Sequence, residues 1–151
     1  MEIKVFTNRP HRLDDKFPHS NELFCGDEYD DTDFPYLYMT SNTTIIIVAI
    51  IDNKVAGGIQ LSESEDGWML RTTNERPKWC MLGMGVNKEF VNQGIATKLI
   101  EKQFEIMDEM SIVDVCQSGY SEDGLKYIFP VYERMIEKYP HIMYINENRL
   151  F

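Results

Sequence analysis

The sequence predicts an α/β (α+β) fold, a mixed sheet of six to seven strands with about four helices packed on it. Three observations carry this. Thr43–Ile51 is a continuous β-branched run, which reads as a strand buried on both faces. Two later segments place apolar residues at helical spacing. Strand patterns flank each of those helices, so the helices must layer onto a shared sheet. No repeat, low-complexity linker or second core interrupts the chain, and residues 1–151 read as a single domain.

The elements follow in order. Ile3 and Val5, flanked by Lys4 and Phe6, give a short first strand. Residues Arg9 to Ser41, rich in Asp, Pro, His and Tyr, give one or two short helices joined by loops. After Thr43–Ile51, Asp52-Asn53-Lys54 forms a tight turn and Val55–Leu61 returns as the second arm of a hairpin. Gly57 and Gly58 within that arm suggest a bulge or close packing by another backbone. Trp68-Met69-Leu70 allows a short extra strand. Cys80–Val86 is the next strand, with Gly83 and Gly85 two apart. Ile95 to Met110 carries Ile95, Ala96, Leu99, Ile100, Phe104, Met107 and Met110 on one helical face. Ile112–Cys116 returns as a strand. Leu125, Ile128, Phe129, Tyr132, Met135, Ile136 and Tyr139 mark a second amphipathic helix, which Pro130 must kink or start. Ile142–Ile145 gives the last strand.

Composition excludes several classes of function. The net charge of −10 repels a phosphate backbone, so no nucleic-acid partner is expected, and a cationic substrate or basic protein is favoured. The longest apolar run, Ile45–Ile51, is far short of the roughly 20 residues a bilayer requires, and no membrane partner is expected. The N-terminus lacks a secretory apolar core. Cys25, Cys80 and Cys116 form no CxxC pair and read as buried thiols in a reducing compartment, the cytoplasm. His11, His19 and His141 are too scattered for a zinc pattern, and no metal is expected.

The chemistry concentrates in Val86-Asn87-Lys88-Glu89-Phe90-Val91-Asn92-Gln93-Gly94-Ile95-Ala96-Thr97, which joins a strand end to a helix start. The first turn of a helix offers free backbone N–H groups and a positive dipole end, and both attract anions. Gly94 and Ala96 keep that turn bare enough for a phosphate to reach the backbone, and Thr97 adds a hydroxyl.

Val86, followed at fixed spacing by Gly94-Ile95-Ala96-Thr97 and Leu99-Ile100, resembles motif A of the GNAT acetyltransferases. Downstream, Val131-Tyr132-Glu133-Arg134-Met135 resembles the family's F-Y-E-K-L segment. The resemblance implies a GNAT-like mixed, mostly antiparallel sheet whose fourth strand bulges and splays from the fifth. It implies acetyl-CoA as co-substrate. The amides of Val91, Asn92, Gln93, Gly94, Ile95, Ala96 and Thr97 would hold the pyrophosphate, and the main chain of Met84, Gly85 and Val86 would pair with the pantetheine arm. It further implies that the Tyr132 hydroxyl protonates the departing thiolate; the plainer alternative is that Tyr132 fills the core face of its helix. Val91 stands where the family usually has Arg or Gln, and Asn92 where Gly is common. Neither side chain is required for amide–phosphate contact, though the lost glycine restricts the loop.

The implied reaction is direct transfer of the acetyl group to a primary amine, either a small cationic amine or a protein lysine or N-terminus. Attack needs a neutral amine and hence a base. The position some family members use for that acid, the start of the fourth strand, is Cys80 here. Glu63, Glu65 and Glu75 from the preceding loop are the alternatives. The acids Asp27, Glu28, Asp30, Asp31 and Asp33 fall where the family lines its acceptor cleft, which puts Asp30 and Asp31 forward as substrate-binding residues. A second reading is a catalytically silent GNAT-fold module whose acidic surface binds a basic protein. A third, an acyl-homoserine lactone synthase, rests on faint similarity at Glu28-Tyr29-Asp30 and Tyr36-Leu37. The oligomeric state, including a homodimer, is left open.

Overall fold

The computed structural model describes residues 1–7, 44–63, 79–117 and 120–146. They form one six-stranded sheet in the order β1 (Glu2–Thr7), β2 (Thr44–Ile51), β3 (Lys54–Glu63), β4 (Trp79–Val86), β5 (Asp114–Gln117) and β6 (Met143–Asn146). The first four strands pair antiparallel; β4–β5 and β5–β6 pair parallel. The sheet is therefore mixed and mostly antiparallel, as expected. Two α-helices lie among the described residues, α1 (Ile95–Glu109) and α2 (Phe129–Lys138), where about four helices were expected. The helical region between Arg9 and Ser41, the strand at Trp68–Leu70, and the residues Cys25, Asp30, Asp31, Glu65 and Glu75 lie outside the described residues.

The β2 run is buried from Thr44 to Ile50, because its Ile and Val side chains are covered on both sheet faces. Asp52 and Asn53 form the two-residue connection to β3, both at positive φ, the geometry that matches the twist of a hairpin. The bulge expected in β3 falls at Ala56, between the pairs Ala49↔Gly57 and Ile50↔Val55. Gly57 serves the close approach. A Cβ there would lie 3.0 Å from the carbonyl oxygen of Gly85 on β4 and 3.1 Å from Ile95 Cγ2.

Helix α1 packs on β2, β3 and β4, and α2 packs on α1. The buried face of α1 comprises Ile95, Leu99, Ile100, Gln103, Phe104, Ile106 and Met107. The apolar pattern anticipated most of it, but Ala96 and Met110 are only half-buried while the polar Gln103 is fully enclosed. After α1, Ser111 turns the chain at φ +57°. Ser111 N–H donates to the Asp108 carbonyl and Ile112 N–H to the Met107 carbonyl, the two bonds of a Schellman cap. That turn buries Ile112 ahead of the strand and leaves Val113 exposed, so β5 begins at Asp114 rather than Ile112.

Pro130 stands at the head of α2, where an α-helix takes over from a π-helical turn. The preceding Gly124–Ile128 is a π-helical turn in which Phe129 N–H reaches back to the Gly124 carbonyl.

Candidate active site

The site begins where β4 and β5 part. Among the described residues they pair at Cys80↔Cys116 and Met81↔Gln117, while β4 continues to Val86 against β3. Leu82 is the extra residue of a bulge between the pairs Gln60↔Gly83 and Leu61↔Met81. Bulges bend a strand, and this one directly follows the last described pair of β4 with β5. The gap holds a cavity of about 590 Å³, a size suited to a small-molecule site. One wall is β4, through Met81 and Gly83–Val86; the other is Gln117, Tyr120 and the turn from Ser121 to Ile128.

Beyond Val86 the chain is held tightly until α1. The Asn87 side chain accepts from Glu89 N–H at 2.9 Å, Phe90 inserts into the core, and Lys54 bridges Glu89 at 3.0 Å. The loop then reverses at Asn92 (φ +63°) and Gly94 (φ +73°). Asn tolerates this left-handed backbone better than most residues, which is how the loop keeps its shape without the usual glycine. Gly94 caps α1 with no side-chain hydrogen bond, and among the described residues nothing lies within 4 Å of where its Cβ would stand. The first intrahelical bond is Lys98 N–H to the Gly94 carbonyl, so the amides of Ile95, Ala96 and Thr97 have no intrahelical partner. Since Gly85 and Ile95 converge on Gly57, this open helix end adjoins the cavity-lining half of β4.

A family model for the acetyltransferase (GNAT) family matches residues 11–119. The chain belongs to the GNAT acetyltransferase family. Among curated proteins no relative matches it. Similar solved structures include the aminoglycoside acetyltransferase meta-AAC0020 from an uncultured soil metagenomic sample in complex with sisomicin. Identity there is 19%, with 64% of this chain and 58% of that one covered and a TM-score of 0.45. AAC(6')-Iy in complex with the bisubstrate analog CoA-S-monomethyl-acetylneamine shows 14% identity, coverage of 64% and 62%, and a TM-score of 0.46. A probable acetyltransferase shows 21% identity, coverage of 61% and 58%, and a TM-score of 0.45. The chain thus spans less than two thirds of these relatives' lengths.

Against the GNAT expectations, Met84, Gly85 and Val86 line the cavity. Val91, Asn92, Gln93 and Gly94 are exposed beyond it, Ala96 and Thr97 half-buried, and Ile95 anchored in the core. Tyr132 does not line the cavity, but its hydroxyl touches Met81, which does. Its side chain is fully buried, off the cavity wall, with its hydroxyl 2.7 Å from Gln103 Oε1 and 3.0 Å from Met81 Sδ. Burial, reinforced by Tyr120 and opposed by the Gln103 bond, pushes its phenol well above the ordinary range. Among the described residues two aromatics line the cavity, Tyr120 and Tyr127, and Tyr120 is the one tied to Gln117. Its hydroxyl bonds that of Tyr144, which in turn donates to Gln117 Oε1. Tyr144 stacks on Tyr132, ring centroids 4.8 Å apart.

For the base, Glu63 sits half-buried at the end of β3, in register with Trp79. Cys80 is buried, and its hydrogen bond with Cys116, then burial, drive its thiol strongly upward, so it makes no nucleophile at neutral pH. Among the described residues no three His, Cys, Asp or Glu side chains gather to hold a metal. Sequence reasoning missed Gln117, Tyr120, Asp123 and Tyr127 on the far wall. The one signal available was Ser121, whose hydroxyl accepts from Gly124 N–H as a helix cap and so announces a helical turn earlier than the apolar pattern does.

Proposed function

We propose that the chain is an acetyl-CoA-dependent N-acetyltransferase that moves the acetyl group directly to a primary amine, on a small cationic molecule or on a protein lysine or N-terminus. The parting of β4 from β5 beside an open helix end carries this reading. Amides at Ile95–Thr97 take the pyrophosphate, the stretch of β4 that lines the cavity takes the pantetheine arm, and the thioester comes to the end where Met81 pairs with Gln117. With a net charge of −10, long-range attraction does not help an anionic cofactor, so binding rests on these short-range donors. A backbone amide of β4 would polarise the acetyl carbonyl during attack.

The test is thermal melting with and without acetyl-CoA, followed by thiol release on a panel of polyamines, aminoglycosides and lysine peptides. At about 100 times its dissociation constant the cofactor adds about 2.7 kcal/mol, a shift of several degrees. No shift overturns the reading. A shift without turnover on any amine favours instead the silent acidic module. Replacing Asp30 and Asp31 by Asn should raise the acceptor KM if those acids attract the amine.

A further inference from the structure

We propose that Tyr120, not the buried Tyr132, gives its hydroxyl proton to the departing thiolate; this rests on the acetyl-transfer reading above. The direction of the cofactor places the reacting atoms. Its phosphates lie past Val86 and its arm runs back along β4, so the thioester reaches the end where Met81 still pairs with Gln117. Gln117 and Tyr120 stand on the wall there. Their polar ends meet at the Tyr144 hydroxyl.

Placement decides which tyrosine can reach the sulfur: Tyr120 lines the cavity beside Gln117, whereas Tyr132 and Tyr144 do not line it. Tyr132 donates to Gln103 Oε1 at 2.7 Å, with Met81 Sδ a second acceptor at 3.0 Å, and Gln103 is held in that orientation because its own Nε2 donates to Met107 Sδ. Tyr144 commits its proton to Gln117, so in the contact between the two hydroxyls Tyr120 is the donor and Tyr144 the acceptor. When the amine nitrogen bonds to the acetyl carbon and the C–S bond breaks, the electron pair stays on sulfur. Tyr120 then turns its proton to the sulfur, leaving the free thiol and a phenolate. An ordinary phenol near 10 is a weaker acid than a thiol near 8.5, so this transfer needs help. Tyr144 supplies it by turning its own proton from Gln117 to the new phenolate. Burial keeps Tyr144 far above the usual phenol range, so it stays protonated for that role. Water at the cavity mouth restores the Tyr120 proton after the products leave, and the amine's proton passes to the base or to water.

The experiment compares wild type, Tyr120→Phe, Tyr132→Phe and Tyr144→Phe in the full chain. Each is assayed at 20 °C with acetyl-CoA and, as acceptor, hydroxylamine alongside the amine that wild type acetylates fastest. Acetyl-CoA binding is measured by calorimetry. Y120F should lose about 10²-fold in kcat, keep its acetyl-CoA affinity, and lose the alkaline fall in the kcat–pH profile. Y144F should show a smaller loss with that fall displaced to higher pH. Y132F should keep kcat within a few-fold while melting earlier. A Y120F protein with wild-type kcat, or with weakened acetyl-CoA binding and an unchanged pH profile, overturns the assignment alone. A loss of kcat and of the alkaline fall in Y132F instead of Y120F overturns it as well. Wild type that neither binds acetyl-CoA nor releases thiol overturns the acetyl-transfer reading, and this inference with it.

Discussion

The Tyr132 hydroxyl lies 2.7 Å from the side-chain carbonyl oxygen of Gln103, and both residues are fully buried. The pair joins α2 to α1 through the core. Tyr132→Phe leaves the Gln103 acceptor without its donor, which should cost about 1–3 kcal/mol. Replacing both residues, as Y132F with Q103L, should recover part of that loss because no orphaned acceptor remains. Urea denaturation of the two single variants and the double variant checks this, read as a double-mutant cycle.

Alkaline pH should weaken the fold. Burial raises the phenols of Tyr132 and Tyr144 above their unfolded values, and the Cys116 bond with burial does the same for Cys80. In each case the native state holds its proton while the unfolded chain releases it, so stability is complete below the unfolded value and falls as pH rises past it. The fall should begin near pH 8.5 for the thiol and steepen above about 10, by up to ~1.4 kcal/mol per pH unit for each tyrosine. Urea midpoints from pH 7 to 11 measure it. Y132F should flatten the upper part.

Ser111 closes α1 at φ +57°, in a position where glycine is at ease and a Cβ is not. Its two cap bonds involve only backbone and survive substitution. Ser111→Gly should therefore raise stability by about 1 kcal/mol, given a left-handed cost of roughly 1–2 kcal/mol for a residue with a Cβ. The melting temperature should rise by about 2–4 °C.

At Gly57 the opposite change should harm both fold and site. An added methyl would meet the Gly85 carbonyl at 3.0 Å and the side chains of Ile95 and Leu99 at 3.1 and 3.2 Å. Gly57→Ala should cost about 1–3 kcal/mol by overpacking. Because Gly85 and Ile95 both belong to the proposed cofactor site, acetyl-CoA affinity should fall in the same variant. Calorimetry beside urea denaturation separates the two effects.

Much of this molecule is written locally. The β-branched run of β2, the Asp52-Asn53 turn and the apolar stripe of α1 each follow from rules that span a few residues. So does the bare helix start at Gly94, since a glycine ahead of an apolar helical pattern needs no distant partner to leave amides open. Motif spacing around Val86 and Gly94 was enough to point to the family. The far wall of the cavity was not legible. Helical periodicity puts Tyr132 on an apolar face, but a core and a cofactor cleft look alike to that pattern, and only the packing of α2 on α1 turned its hydroxyl to Gln103. Tyr120 follows β5 outside any periodic stretch, so nothing local marks it. Its position on the cavity comes from β5 pairing with β4 at Met81 and from β6 bringing Tyr144 alongside. The sequence alone determined strands β1 to β6, helices α1 and α2, their order and the open helix end, because those depend on near neighbours. That Tyr120 lines the cleft and Tyr132 does not was decided by tertiary structure, through hydrogen bonds between residues 24 to 29 positions apart.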